Sequence, residues 1–179
     1  AVDIDFLVSD AGGYRELRHL LTGPEGLAAI TLPHAQPLVV LREIRADQYG
    51  IRTQVQMDWQ AIKLEIVREA RIALEPPVAG DTVCGVSTLT RLDLAASKLL
   101  ANSDQQADDG VFSRDVIDLA MMELPLPALR AALVKATEAY GKSVARDLGK
   151  AIDRLQTRTG WLERCLQAMS MPPEFDTNC

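Results

Sequence analysis

Val2, Ile4 and Phe6 alternate with Asp3 and Asp5 at the start of the chain, the period of a strand with one apolar and one polar face. The period then changes. Tyr14, Leu17, Leu20 and Leu21 recur at helical spacing and predict a short helix over 14–21, stopped by Gly23-Pro24. Gly12-Gly13 before it reads as a turn, since a lone glycine pair without a following Lys-Ser/Thr is a weak phosphate-loop signal. A strand is expected over 38–44, turn chemistry over Asp47-Gln48-Tyr49-Gly50, and a second strand in which Ile51, Thr53, Val55 and Met57 alternate with polar residues. Past Asp58-Trp59-Gln60 a further strand, 61–67, turns Ile62, Leu64 and Ile66 one way and Lys63 and Glu65 the other.

From Glu75 to Ser87 the chain is rich in Pro, Gly and small residues, and this stretch reads as a linker. Everything after it has the helical period. Leu89, Leu92, Ala96, Leu99 and Leu100 form one stripe over 88–102, with Ser87 or Thr88 placed to cap it. Val116, Ile117, Ala120, Met121 and Leu124 form a second over 114–123, which Ser113 can cap, and three more helices follow near 127–140, 142–157 and 160–169. The polar tail from Met171 is expected to be loosely held. The expectation is an α+β chain in two domains, a mixed-sheet core over 1–84 and a helical bundle over 85–179.

Composition narrows the function classes. Aromatic residues make up 4% of the 179, which argues against a stacking platform for single-stranded nucleic acid. The net charge of −6 argues against a broad basic surface for duplexes, though not against a local basic groove. Cys84, Cys165 and Cys179 have no metal-ligand spacing and read as reduced thiols of a cytoplasmic protein. No apolar run approaches the ~20 residues of a membrane span, so no membrane partner is expected.

The candidate chemistry starts at Asp3 and Asp5, which leave a strand on the same side roughly 6–7 Å apart. Carboxylates that close repel unless a proton or a cation lies between them, and hard oxygen ligands suit Mg²⁺. An edge strand with an acidic solvent face is the plain alternative. Glu65 adds a third carboxylate on the polar side of another strand, where an ordinary exposed Lys/Glu face is equally consistent. Lys98 lies opposite the apolar stripe of its helix, as a solvated lysine would. Arg114 and Asp118, four apart, permit a structural ion pair worth ~0.3–0.5 kcal/mol.

Taken in order, Asp3-Ile4-Asp5-Phe6-Leu7, Ile62-Lys63-Leu64-Glu65-Ile66, Lys98-Leu99-Leu100-Ala101 and Arg114-Asp115-Val116-Ile117-Asp118 resemble the nucleotidyltransferases of the DNA polymerase β superfamily, in their AbiEii/AbiGii toxin branch. The resemblance implies that Asp3, Asp5 and Glu65 hold two Mg²⁺ (or Mn²⁺) ions and a nucleoside triphosphate. It implies that Lys98 contacts nucleotide phosphate while Asp118 orients it or acts as a base, with Asp115 as structural partner, a pair that could exchange roles. It also implies transfer of a nucleotide to RNA, tRNA among the candidates, or to protein, and a cognate antitoxin. The family's Gly-Ser helix start lies upstream of D-x-D, so part of the native chain is expected before Ala1. Two other readings compete: a D-x-D phosphatase, which would want a downstream Asp-Asp motif, and a binding protein that has kept the fold without catalysis.

Overall fold

The computed structural model describes residues 2–83 and 85–171. Its backbone divides into two compact units, Ala1–Ala73 and Leu74–Cys179.

The first unit is built on a mixed sheet of four strands: β1 (Val2–Val8), β2 (Val39–Ala46), β3 (Gly50–Met57) and β4 (Gln60–Arg68). Their order across the sheet is β1-β4-β3-β2. β1 runs parallel to β4, and the other neighbours are antiparallel. Helix α1 (Ala11–Leu21) and a single tight turn of helix over Gly26–Ile30 cover one face. Tyr14, Leu21 and Leu27 pack there against Ile51, Val55, Ile62 and Ile66, each aliphatic side chain contributing ~1.5–3 kcal/mol on full burial. The Tyr14 hydroxyl donates to the carbonyl of Asp47 at 2.7 Å and so ties α1 to the β2–β3 turn. Because Ile51 and Val55 of β3 and Ile62, Leu64 and Ile66 of β4 look toward α1, the polar residues that alternate with them are turned to the opposite face.

Gly12 and Gly13 form the first turn of α1 rather than a turn before it, and Asp10 caps them, its carboxylate accepting from the Gly13 amide. A Cβ on Gly13 would come within 3.0 Å of that carboxylate oxygen, so glycine lets the cap fold over the helix start. The amides that a phosphate would need are already occupied.

In the second unit, a two-residue ladder joins β5 (Thr82–Val83) to β6 (Val86–Ser87) within the stretch read as a linker. Among the described residues five α-helices follow: α2 (Arg91–Gln105), α3 (Arg114–Met121), α4 (Leu126–Tyr140), α5 (Ser143–Thr157) and α6 (Trp161–Ala168). Helix α2 is central, packing on α3, α4 and α5, with Ala95, Ala96, Leu99 and Leu100 fully buried. Its cap is Thr90, not Ser87 or Thr88: the Asp93 amide donates to the Thr90 hydroxyl at 3.2 Å. Asp93 is itself buried, and its carboxylate takes the Glu75 amide at 2.6 Å and the Lys135 ammonium.

Ser113 precedes α3 as expected but does not cap it. Its hydroxyl accepts instead from the indole N–H of buried Trp161 at 3.0 Å. Phe112 and Ser113 both adopt left-handed backbone, φ +53 and +49. Cys165 is a buried free thiol, while Cys84, Cys179 and the tail beyond Met171 lie outside the described residues. Among the described residues no helix is long and apolar enough to cross a membrane.

Candidate active site

Strand register assembles the polar face of the sheet into two rows. In one, Asp3 of β1 lies beside Lys63 of β4, Lys63 beside Gln54 of β3, and Gln54 beside Arg42 of β2. In the other, Asp5 lies beside Glu65, Glu65 beside Arg52, and Arg52 beside Arg45. Both rows therefore begin with a carboxylate on β1 and end with a guanidinium on β2. Asp3 and Asp5 are exposed and make no hydrogen bond or ion pair among the described residues.

Glu65 is differently placed. Arg52 Nε donates to one of its oxygens at 2.8 Å and Lys63 Nζ to the other at 2.5 Å. The Lys63 hydrogen bond, helped by Arg52 against some burial, holds the Glu65 carboxyl below its usual range. The same contact raises the Lys63 ammonium. Arg52 reaches Asp47 as well, at 3.3 Å. The polar partners of β3 were visible in its alternation, whereas the commitment of Glu65 to Arg52 follows only from the β3–β4 register.

In the helical unit Lys98 of α2 donates to Asp115 at 3.1 Å and to Asp118 of α3. It is not a freely solvated lysine, and both aspartates share it. Arg114 forms no ion pair with Asp118, whose carboxylate is taken by Lys98. Burial works against the charged ammonium, yet the bonds to Asp118 and Asp115 outweigh it and hold Lys98 above the ordinary lysine value. Asp115 is buried and Asp118 is half-exposed, which leaves Asp118 the more accessible of the two.

The donor set suits a divalent cation in part. Asp3 and Asp5 offer uncommitted oxygens of the hard type that Mg²⁺ and Mn²⁺ prefer. Glu65, in register beside Asp5, would have to exchange an ammonium or guanidinium for a metal. Among the described residues no three His, Cys, Asp or Glu side chains stand as a ready-made metal cage.

A mixed sheet with a helix packed on one face and acidic side chains in register on the other, joined to a helical bundle, is the build of a nucleotidyltransferase. The profile of the nucleotidyl transferase AbiEii toxin family, of type IV toxin–antitoxin systems, matches residues 2–177, and the chain belongs to that family. Membership brings a nucleoside triphosphate as substrate and a cognate antitoxin as partner. No curated protein and no solved structure matches the chain.

Proposed function

We propose that the protein transfers a nucleotide from a nucleoside triphosphate to RNA or protein with the help of a divalent metal, Mg²⁺ or Mn²⁺, held by Asp3 and Asp5 with Glu65 assisting. The observation that carries this reading is the pair of uncommitted carboxylates on β1, in register with Lys63 and Glu65 on a face that no core residue uses. A bound metal would supply Lewis-acid neutralisation of the phosphate oxygens and a lower pKa for the attacking hydroxyl.

The rest falls to the side chains. The acceptor hydroxyl oxygen bonds to the α-phosphorus, the bond from that phosphorus to the bridging oxygen breaks, and pyrophosphate leaves; the hydroxyl proton passes to a carboxylate. Such chemistry asks for positioning and charge more than for covalent participation. Lys98 presents positive charge to the triphosphate, and Asp118 holds that ammonium or takes the acceptor's proton. Asp115, buried against the same ammonium, keeps Lys98 charged and in place.

The test is transfer of an α-labelled nucleotide from each of the four triphosphates to total RNA and to protein. Asp3→Asn and Asp5→Asn should each lower transfer by about 10²-fold or more, and Lys98→Ala by about 10²–10³, the usual cost of removing a charge aimed at a transferring group. Melting curves guard the comparison, because Lys98→Ala also strands buried Asp115. Asp115→Asn added to Lys98→Ala should restore the melting temperature but not the activity. Full transfer by a well-folded Lys98→Ala protein would remove the helical residues from the mechanism, and wild-type inactivity with all four triphosphates would favour the non-catalytic reading.

A further inference from the structure

Arg42 and Arg45 are three residues apart, so a regular strand would send them to opposite faces of the sheet. The register of β2 against β3 shifts twice, between Val40 and Arg42 and again between Arg42 and Arg45. As a result Arg42 lies opposite Gln54 and Arg45 opposite Arg52, two positions that share one face of β3. The Thr53 hydroxyl donates to the Arg42 carbonyl at 2.6 Å and pins the distorted segment. Irregularities of this kind give up ladder hydrogen bonds to re-aim a side chain, and they are common beside active sites.

The re-aimed arginines line a hollow of about 630 Å³ together with Arg52, Lys63, Glu43 and Asp3. Four cationic side chains face two carboxylates there. Arg52 and Lys63 are engaged by Glu65; Arg42 and Arg45 form no ion pair among the described residues. Free guanidiniums offer the planar fork that matches phosphate oxygens. In a chain of net charge −6 this is a local basic groove rather than a basic surface.

We infer that this hollow binds the phosphodiester backbone of a single-stranded nucleic acid, which crosses β3 from Arg42 and Arg45 toward Asp3. The inference rests on the proposed transfer reaction only for its meaning, that the strand carries the acceptor hydroxyl. Three inter-strand steps of about 4.8 Å put the backbone of β2 ~14 Å from that of β1. A chain with repeated phosphates covers that span. The face carries charge and amide groups and no aromatic ring among the residues of its two rows, so the protein grips the backbone and not stacked bases.

The experiment is fluorescence anisotropy of a labelled mixed-sequence oligoribonucleotide with the full chain, in EDTA and without triphosphate. Failure of the transfer chemistry then leaves this result untouched. Wild type should bind with an affinity that falls as salt rises. The Arg42→Ala/Arg45→Ala double variant, with an unchanged melting temperature, should bind at least about tenfold more weakly. Its log–log salt slope should be smaller by ~0.7 for each phosphate it no longer neutralises. Arg130→Ala, which removes an exposed charge from α4, should leave the slope near that of wild type. Equal binding by wild type and a well-folded double variant overturns the inference. So does displacement of the oligonucleotide by equimolar inorganic triphosphate, which would give the hollow to the nucleotide, or preference for a polyglutamate peptide, which would point to a protein acceptor.

Discussion

At the scale of single residues, the ion pairs around buried carboxylates were the least legible feature of the chain. Asp147 on α5 accepts from Arg146 at 3.1 Å, from the Ser103 hydroxyl at 2.9 Å and from Lys150 at 3.3 Å. The Arg146 and Ser103 bonds pull its pKa down to about 2. A carboxyl depressed in the folded state stabilises the protein above its unfolded value near 3.8. That contribution is lost as pH falls through the folded value. Asp147→Asn should therefore flatten the fall in melting temperature between about pH 4 and pH 2, as read by circular dichroism. Lys98 has the opposite sign: raised above 10.5, it contributes fully at neutral pH and fails only in strong alkali. At this scale spacing showed which residues were polar and on which side. It put Lys63 beside Glu65 on one face of β4 but could not show that Arg52 also holds Glu65, because that bond joins residues brought together by the pairing of β3 with β4.

At the scale of elements, β1, the β2–β3–β4 meander and the five α-helices among the described residues of the second unit followed from hydrophobic period; burial of one face accounts for that period in β3 and β4, whereas Ile4 and Phe6 of β1 are exposed. Starts were harder to place. Thr90 caps α2 where Ser87 or Thr88 was expected, and α3 begins on two left-handed residues. Conformations of that kind cost of order 1–3 kcal/mol each and persist only when their surroundings insist. The insistence here comes from Trp161, whose indole N–H donates to Ser113 and whose ring takes the guanidinium of Arg158 at 4.3 Å. Ser113→Ala should leave that buried N–H without an acceptor and cost about 1–3 kcal/mol in chemical denaturation. Ser113→Gly should cost less, because glycine relieves the positive φ while losing the same bond. The two register shifts in β2 had no counterpart in the pattern: the expected strand stopped at residue 44, before Arg45, and pairing with β3 is not a property of one strand's period.

At the scale of the whole molecule, each unit carries its own core: Tyr14, Leu21, Leu27, Ile51, Val55, Ile62 and Ile66 in the first, and around α2 and Trp161 in the second. A protein ending before Leu74 or beginning there would keep one of these intact. The fragment 74–179 should accordingly fold by itself to a helical state, and Leu99→Ala within it should cost ~2–5 kcal/mol, as for other fully buried leucines; a fragment without a cooperative melt would defeat the expectation. The amino-acid sequence by itself determined the class of fold, the order of its elements, the acidic face of β1 and the family. All of these are local or periodic properties, and periodicity survives in one dimension. Only the tertiary structure decided what the charged groups do to one another. It set Asp5 beside Glu65, closed the Asp10 cap over the α1 amides, and brought Arg42 and Arg45 to the carboxylate face; the bonds of Lys98 to Asp118 and Asp115 match what the family resemblance implied. The cap at Asp10 is a local contact, but the others depend on helix packing or on strand register, and in a strand a shift of one residue reverses a side chain's direction. No pattern along the chain encodes that shift.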